Sequence, residues 1–212
     1  MLWADAICID QDSLDERKRQ VGLMDYIYTR ASTVLIWLGR GSTAVQEGFL
    51  KASETRFRAP FSLASAETRQ SIDKRRRICP SWEHWVYTRS YWTRLWVIQE
   101  IGLSKALRVC IGRHSRSWDN FLRCLNINQL NTSSGHTQKY DLIKKLDGKR
   151  KGRHGSDNRL EKVLEDFQFA GCKDRRDNVY GLLGLAYDCQ DGSIEPDYTK
   201  TLFGLYSYVL TW

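Results

Sequence analysis

The sequence predicts an α/β fold in which a small, mostly parallel sheet is flanked by helices and a mainly helical C-terminal half follows. Two observations lead to this class. Short apolar runs at Leu2–Ile9, Thr33–Leu38 and Leu107–Ile111 are typical of buried strands. Between and after these runs, apolar side chains recur at three- and four-residue steps, which indicates amphipathic helices.

In the N-terminal part we expect a strand, a helix and a second strand. The first strand lies at Leu2–Ile9, with Asp5 near its end. Ser13–Glu16 has the pattern of a capping box and starts a helix that runs to about Arg30. Thr33–Leu38 is wholly apolar and two glycines follow it closely, so we expect a strand of a parallel sheet that is covered on both faces.

Helical periodicity predicts most of the remaining elements. The expected helices cover residues 42–78 with an interruption near Pro60, Trp118–Leu130, Arg159–Ala170, Arg175–Ala186 with Asp174 as its cap, and the segment after the turn Pro196–Tyr198. A strand is expected at Leu107–Ile111, and a mobile basic loop over residues 148–158.

Composition excludes several classes of protein. The chain has 212 residues, 42% of them hydrophobic and 12% aromatic, which supplies a packed core and excludes wholesale disorder. Its longest apolar run, Val34–Leu38, is far shorter than a membrane span, and the first residues show no secretory signal. We expect a cytoplasmic protein with one domain over residues 1–212, divided into an α/β part at 1–112 and a mainly helical part at 113–212.

The cysteines and the charge give weaker indications. The six cysteines form no Cys-x-x-Cys pair and the four histidines show no ligand spacing with them, so we expect reduced structural thiols and no metal site. The net charge of +8 includes two basic runs, Lys74–Arg77 and Gly148–Arg153. A solvated helix face or loop explains such runs simply, and the chain has no recognisable nucleic-acid reader motif.

Two acidic residues stand out as candidates for chemistry, since the chain has no Gly-rich phosphate loop and no nucleophile elbow. Asp5 lies near the carboxyl end of a predicted strand, where open α/β sheets bind ligands. Glu100 follows Trp96 by one helical turn, and a carboxylate beside aromatic walls can hold sugar hydroxyls or stabilise a cationic transition state. Plainer alternatives are an acceptor for loop amides at Asp5 and an exposed or Arg94-paired residue at Glu100.

The candidate pocket also includes residues of the tryptophan-rich segment that contains Glu100. Trp92, Trp96 and Gln99 share one helical face. The hypothesis is that Glu100 is catalytic. The ligand pocket then comprises Asp5, Trp92, Arg94, Trp96 and Gln99. The alternative for the tryptophans is an ordinary role in the core.

Three blocks of this sequence resemble the fungal heterokaryon incompatibility (HET) domain. The first, Leu2–Gln11, reads LWADAICIDQ, and its matching positions continue to Gly39. The second, Arg89–Glu100, reads RSYWTRLWVIQE, and the third, Asp174–Ala186, reads DRRDNVYGLLGLA and is followed by Pro196–Tyr198. The blocks occur in the family's order and cover nearly the whole chain.

The resemblance also has departures. Members of the family usually begin with a strand that carries Y-x-A-L-S-Y-x-W-G, and this block is absent from the sequence. Ser90 and Tyr91 replace a common Pro-Trp pair. We therefore expect an N-terminally incomplete HET domain that lacks its first strand.

The resemblance implies a function in fungal non-self recognition, as an effector of regulated cell death that acts through protein partners. Those partners are further copies of the chain or an incompatibility receptor. HET domains are also distantly similar to TIR domains, some of which cleave NAD with a Glu in a W-C-x-x-E-L helix. This similarity maps the catalytic role onto Glu100 and makes an NAD glycohydrolase, with NAD as substrate, the alternative. A basic nucleic-acid-binding module is the third reading, and the missing reader motif counts against it.

Overall fold

A computed structural model describes residues 2–10, 12–52, 82–129, 137–153 and 158–211. The α-helices in chain order are α1 (Asp5–Cys8), α2 (Leu14–Val21), α3 (Met24–Arg30), α4 (Thr43–Lys51), α5 (Trp82–Tyr87), α6 (Trp96–Gly102), α7 (Trp118–Gln129), α8 (Thr137–Lys151), α9 (Leu160–Phe167), α10 (Asp177–Tyr180) and α11 (Leu202–Thr211). The strands are β1 (Val34–Trp37), β2 (Leu107–Ile111) and β3 (His114–Ser117). No helix among the described residues is both long and apolar enough to cross a membrane.

The three strands form one mixed sheet in the order β1-β2-β3. β1 and β2 are parallel, with Val34 opposite Leu107, and β2 and β3 are antiparallel. The tight turn between β2 and β3 uses Gly112 at φ +58, a conformation that favours glycine. The predicted α/β class with a small sheet between helices is confirmed, and the strand predicted at Leu107–Ile111 has the expected bounds.

The chain divides into two compact units. The first unit comprises Met1–Ser32, Thr93–Lys105 and Lys145–Trp212, and the second comprises Thr33–Trp92 and Ala106–Lys144. Each unit therefore draws on segments that are far apart in the sequence. The border that we expected at residue 112 lies inside the β2–β3 hairpin of the second unit.

Aromatic side chains form much of the core of the second unit. Trp82 meets the ring of Phe49 at a centroid distance of 5.5 Å, and Trp92 stacks on Phe121 at 6.2 Å with an interplanar angle of 12°. The ring centroids of Trp118 and Phe121 are 5.6 Å apart. These rings are at most 6% exposed, and their buried area stabilises the packing of α4, α5 and α7.

The core of the first unit gathers side chains from its C-terminal stretch. The buried cluster consists of Leu160, Val179, Tyr180, Leu183, Ala186, Cys189, Ile194, Tyr198 and Leu205. As predicted, α9 is amphipathic and turns Leu160, Val163 and Phe167 inward. The helix predicted after the turn at residues 196–198 is present as α11.

The first predicted strand is wrong. Residues 5–8 form the single helical turn α1, in which the Asp5 carboxylate accepts a hydrogen bond from the backbone N–H of Ala6 at 2.8 Å. The apolar run is not buried, since Leu2 is 77% and Ile7 84% exposed. A short apolar run does not by itself distinguish a strand from a helical turn, and the βαβ unit that depended on this strand is absent.

Two further predictions in this part need correction. The helix that begins after Ser13 ends at Val21, and α3 begins only at Met24, so Gly22 and Leu23 interrupt the predicted single helix. β1 is covered on one face only. The side chains of Leu35 and Trp37, which point to the other face, are 53% and 54% exposed. The alternation is typical of a sheet with one solvated face.

The basic segment around Gly148 is helical and not a loop. α8 continues to Lys151, although residues 154–157 lie outside the described part. The predicted helix after Asp174 is reduced to the single turn α10 and two 3-10 turns at Leu183–Leu185 and Tyr187–Cys189. The helix expected over residues 42–78 appears as α4, and its remainder, including Pro60 and the basic run at 74–77, falls mostly outside the described residues.

Candidate functional site

The two acidic residues that the sequence singles out lie around one tyrosine of the first unit. Asp5 at the start of α1 lies 3.7 Å from a guanidinium nitrogen of Arg94. Tyr28 on α3 is 7% exposed, and both Asp5 and Glu100 act on its hydroxyl electrostatically. Trp3 meets the Tyr28 ring in a T-shaped contact with a centroid distance of 5.8 Å. Asp5, Tyr28, Arg94 and Glu100 are called the Tyr28 cluster below.

Burial and charge keep the Tyr28 hydroxyl protonated. Burial raises its pKa far above the ordinary value, the negative charges of Glu100 and Asp5 raise the pKa further, and the positive charge of Arg94 opposes them. Tyr28 therefore offers a donor hydroxyl and an apolar ring, not a base. The carboxylates are acceptors for ligand hydroxyls, and Arg94 is a donor for an anionic group.

The ion pair in this cluster contributes little to the stability of the fold. The side chains of Arg94 and Asp5 are 50% and 40% exposed. A pair this exposed contributes only about 0–1 kcal/mol to stability. Both groups therefore remain accessible from solvent, as a ligand site requires.

Gln99 precedes Glu100 on α6 but has different surroundings. It is 2% exposed, and its Oε1 atom has no hydrogen-bond partner among the described residues. Its side chain lines a cleft of about 400 Å³ that lies wholly within the first unit. This cleft is called the Gln99 cleft.

The Gln99 cleft combines an apolar wall with a charged rim. Val21, Leu183 and Ile194 supply apolar side chains. The charged residues of the rim are Lys18, Arg19, Asp25 and Glu195. Cys189 also lines the cleft, and burial, with Asp188 and Asp191 adding to it, raises the pKa of its thiol to about 12. At neutral pH this thiol therefore stays protonated and is a poor nucleophile.

The two tryptophans of the predicted pocket differ in position. Trp92 is 2% exposed, belongs to the aromatic core of the second unit and donates its indole N–H to the Val86 carbonyl at 2.9 Å. Trp96 is half-buried at the start of α6 in the first unit. The structure thus brings Asp5, Arg94 and Glu100 together, and it places Gln99 in a separate cleft and Trp92 in a core.

The third block of the sequence builds a polar network. Asp177 is 4% exposed and accepts a hydrogen bond from the Tyr198 hydroxyl at 2.6 Å. The guanidinium groups of Arg17 and Arg176 lie 4.7 Å and 5.3 Å from the centroid of the Tyr198 ring, and Arg176 is held by Asp174 at 2.7 Å. The block and the downstream turn at residues 196–198 are therefore bound to each other by these side chains.

Burial is the main influence on Asp177. It raises the pKa of this carboxyl, while the bond from Tyr198 and the charges of Arg17 and Arg176 lower the pKa and leave a net upward shift. Asp174 behaves in the opposite way. Its hydrogen bonds from Arg176 hold its pKa below the usual value.

The basic residues near the end of α8 have partners inside the chain. Lys149 lies 2.9 Å from Asp166, and Lys151 lies 2.7 Å from Asp147. Arg153 donates to a backbone carbonyl at 3.1 Å. These intramolecular contacts engage basic side chains on which the hypothesis of nucleic-acid binding depends.

Tyr28 and the Asp177–Tyr198 pair are not among the site residues that the sequence predicts. Tyr28 has the spacing of an apolar helix face, and nothing in the spacing connects it with Asp5 or Arg94. Asp177 and Tyr198 are 21 positions apart and are joined only by the tertiary fold. Contacts of this kind have no local signal in a single sequence.

Comparison with known proteins supports a relation to one family. The family model described as "Heterokaryon incompatibility protein (HET)" matches residues 1–100. The chain is also 28% identical to "Heterokaryon incompatibility protein 6, OR allele" of Neurospora crassa, in an alignment that covers 94% of this chain and 36% of the relative. The chain thus spans about a third of the length of that relative.

The matched region contains the whole Tyr28 cluster. Asp5, Tyr28, Arg94 and Glu100 all fall within residues 1–100. No solved structure gives a significant match to the chain. The family match and the relative agree with the blocks quoted from the sequence, and residues 1–100 of this chain are similar to the heterokaryon incompatibility (HET) family.

Proposed function

We propose that this chain is an effector of fungal non-self recognition whose activation triggers regulated cell death in the cytoplasm. The observation that carries the proposal is the match of the HET family model to residues 1–100. The name of the Neurospora crassa relative, a heterokaryon incompatibility protein, supports the same function. Because the chain spans 36% of that relative, the activity of the longer protein is attributed to this chain as part of the proposal.

Activation in this proposal means that copies of the chain are brought together, either by direct self-association or by an incompatibility receptor. The features of β1 support self-association. β1 has a neighbouring strand on one side only among the described residues, and it exposes Leu35 and Trp37. A strand at the edge of a sheet with exposed apolar side chains favours pairing with a second copy.

The Tyr28 cluster is the proposed working site of the effector. Asp5 and Glu100 are placed around the Tyr28 hydroxyl, and the side chains of Asp5 and Arg94 keep substantial exposure to solvent. In this role the carboxylates accept hydrogen bonds from a polar ligand, and Arg94 orients Asp5. Tyr28 supplies a buried ring beside them.

The experiment is induced dimerisation in a filamentous fungus. The chain, fused to a module that dimerises when a small molecule is added, is expressed in Neurospora crassa, and growth and dye uptake are followed. The proposal predicts cell death after addition of the small molecule and not before it. The dimerisation module alone is the control. Normal growth while the folded, dimerised protein accumulates would contradict the proposal.

The TIR resemblance motivates a second proposal, in which NAD is the substrate. Water would replace nicotinamide on the ribose carbon, giving nicotinamide and ADP-ribose, and Glu100 would hold the ribose hydroxyls or offset the positive charge. The shared position of Asp5 and Glu100 at Tyr28 is compatible with this chemistry. Nicotinamide release by the dimerised protein, lost in Glu100→Gln, supports the proposal. The absence of turnover in the dimerised protein overturns it.

A further inference from the structure

The Gln99 cleft contains a buried acceptor that the protein leaves without a partner. Gln99 is 2% exposed, and its Oε1 atom accepts no hydrogen bond from the described residues. A buried carbonyl oxygen without a donor is unfavourable, and native structures keep few such atoms. Gln99 is also one of the residues that line the cleft, so a rotation of its terminal amide group can present the oxygen to a molecule bound there.

The residues around this acceptor are held in place by close packing. A Cβ atom on Gly184 would lie 2.7 Å from Cβ of Asp25 and 3.5 Å from Nε2 of Gln99, so the turn at Leu183–Leu185 approaches α3 and α6 as closely as a glycine permits. Tyr180, which also lines the cleft, is fixed by a bond from its hydroxyl to the Asp197 carbonyl at 2.9 Å. The wall is therefore formed before any ligand arrives.

We propose that the Gln99 cleft binds a small uncharged molecule that donates an N–H hydrogen bond to the Gln99 carbonyl oxygen. A carboxamide and an amino-substituted heterocycle such as a nucleobase are the two common sources of this donor. The inference concerns a second site of the first unit and does not depend on the proposed effector function.

The surroundings favour a neutral donor over an ion. Gln99 offers only a dipole, and an ammonium group at this depth would need a buried carboxylate, whereas Asp25 and Glu195 on the rim are exposed. Lys18 and Arg19 add opposite charges to the same rim, so it has no strong preference for anions. The volume of about 400 Å³ admits one aromatic ring system, single or fused, with its substituents.

The first test uses pairs of probes on the unaltered protein. Benzamide is compared with N,N-dimethylbenzamide, and adenosine with N6,N6-dimethyladenosine, because methylation removes the N–H donors and keeps the ring. Amide resonances of Gly184 and Gly192, which line the cleft, report binding in ¹⁵N–¹H spectra. We expect at least one donor probe to bind about tenfold or more tightly than its methylated partner. If no donor probe shifts these resonances, the proposal is wrong.

The second test removes the acceptor. Gln99→Met keeps the side-chain length without the carbonyl, and we expect the donor probe to lose about tenfold or more in affinity while the melting temperature rises. Gln168→Met is the control, because Gln168 is exposed and its amide donates to the nearby Glu165 carbonyl at 3.3 Å. Unchanged probe affinity in Gln99→Met would overturn the assignment of the acceptor. A lower melting temperature would show that Gln99 already has a partner.

Discussion

Tyr198 contacts three residues of the third sequence block, Asp177, Arg176 and Tyr180. Its hydroxyl donates to the buried Asp177, and Arg17 and Arg176 lie over its ring. The Tyr180 ring meets it in a T-shaped contact with a centroid distance of 5.5 Å. At the scale of the residue, a few satisfied polar groups inside an apolar cluster hold the C-terminal stretch of the first unit together.

We expect Tyr198→Phe to destabilise the protein by about 1–3 kcal/mol, because it removes the donor from a buried carboxylate. Urea unfolding measures the loss. Tyr208→Phe is the matched control, since Tyr208 is 41% exposed and also donates its hydroxyl to a backbone carbonyl. Its expected effect lies within about 0.5 kcal/mol. Equal losses in the two variants would contradict the importance of the Asp177 bond.

The raised pKa of Asp177 gives a prediction about pH. A group whose pKa is higher in the folded state contributes stability below its unfolded pKa of about 4, and this contribution is lost as the pH rises through the folded pKa. Asn keeps the acceptor for Tyr198 but does not titrate. We therefore expect the stability of Asp177→Asn relative to the original protein to increase from pH 4 upward. Urea unfolding between about pH 4 and 7 tests the slope.

The other titrating groups are common to both proteins and largely cancel in this comparison. Asp174, whose pKa is lowered by Arg176, contributes stability that is lost as the pH falls, in the variant and the original alike. A stability difference that stays constant or shrinks as the pH rises would show that burial does not dominate at Asp177.

Local hydrogen bonding is the part of the structure that the sequence predicts best. The Ser13 hydroxyl accepts from the Glu16 N–H at 3.3 Å, as the capping box requires, because both groups lie within one turn. The return contact differs, since Glu16 accepts from the N–H of Asp10 at 3.2 Å. The placement of Tyr28 beside Asp5 depends on contacts between distant segments, which no local pattern encodes.

At the scale of the element, glycines explain why the third block reads as it does. The turn at Leu183–Leu185 packs on α3 and α6 because Gly184 has no Cβ. Gly181 allows the same closeness, since a Cβ there would lie 2.7 Å from a methyl carbon of Leu95. These close contacts join segments that are distant in the sequence. The sequence alone therefore predicts a continuous helix over Arg175–Ala186.

We expect Gly184→Ala to destabilise the protein by about 1–3 kcal/mol, because its Cβ would overlap Cβ of Asp25 and force α3 to shift. Gly148→Ala is the matched change inside α8, where nothing lies within 4 Å of the added Cβ. It should stabilise by about 0.5–1 kcal/mol through helix propensity. Thermal unfolding distinguishes them. A loss of stability in Gly148→Ala would indicate that this segment is not helical.

Strands were predictable where side-chain type and burial agree. The apolar and β-branched side chains of β1 and β2 predict both strands, and the structure confirms them. Leu2–Ile9 has a similar composition but forms a helical turn with exposed apolar side chains, so composition without a pairing partner does not make a strand. The basic, glycine-containing composition around residue 148 predicts a loop, whereas the structure has α8 there, with Lys149 paired to Asp166.

At the scale of the whole molecule, the Gln99 cleft depends on segments from both ends of the chain. The first unit joins residues 1–32 and 93–105 to residues 145–212. The Gln99 cleft needs the last of these segments, which lies beyond the HET match at 1–100. A fragment limited to residues 1–100 should therefore lack the cleft.

We expect Trp37→Ser to weaken self-association without unfolding the protein, because the ring is 54% exposed on β1. Sedimentation equilibrium measures the dimer, and the dissociation constant should rise by about tenfold or more. Lys51→Ser is the control, since it changes an exposed side chain at the end of α4. A dimer that is unaffected by Trp37→Ser would remove β1 as the contact between copies.

The most direct test of the account compares cell death caused by the dimerised protein with that caused by two single variants. Glu100→Gln removes one carboxylate from the Tyr28 cluster. Glu161→Gln makes the same change at an exposed position of α9. Measured at equal levels of folded protein, the original and Glu161→Gln should kill the dimerised cells, and Glu100→Gln should not. Killing by Glu100→Gln at the original rate would contradict the assignment of the Tyr28 cluster as the working site.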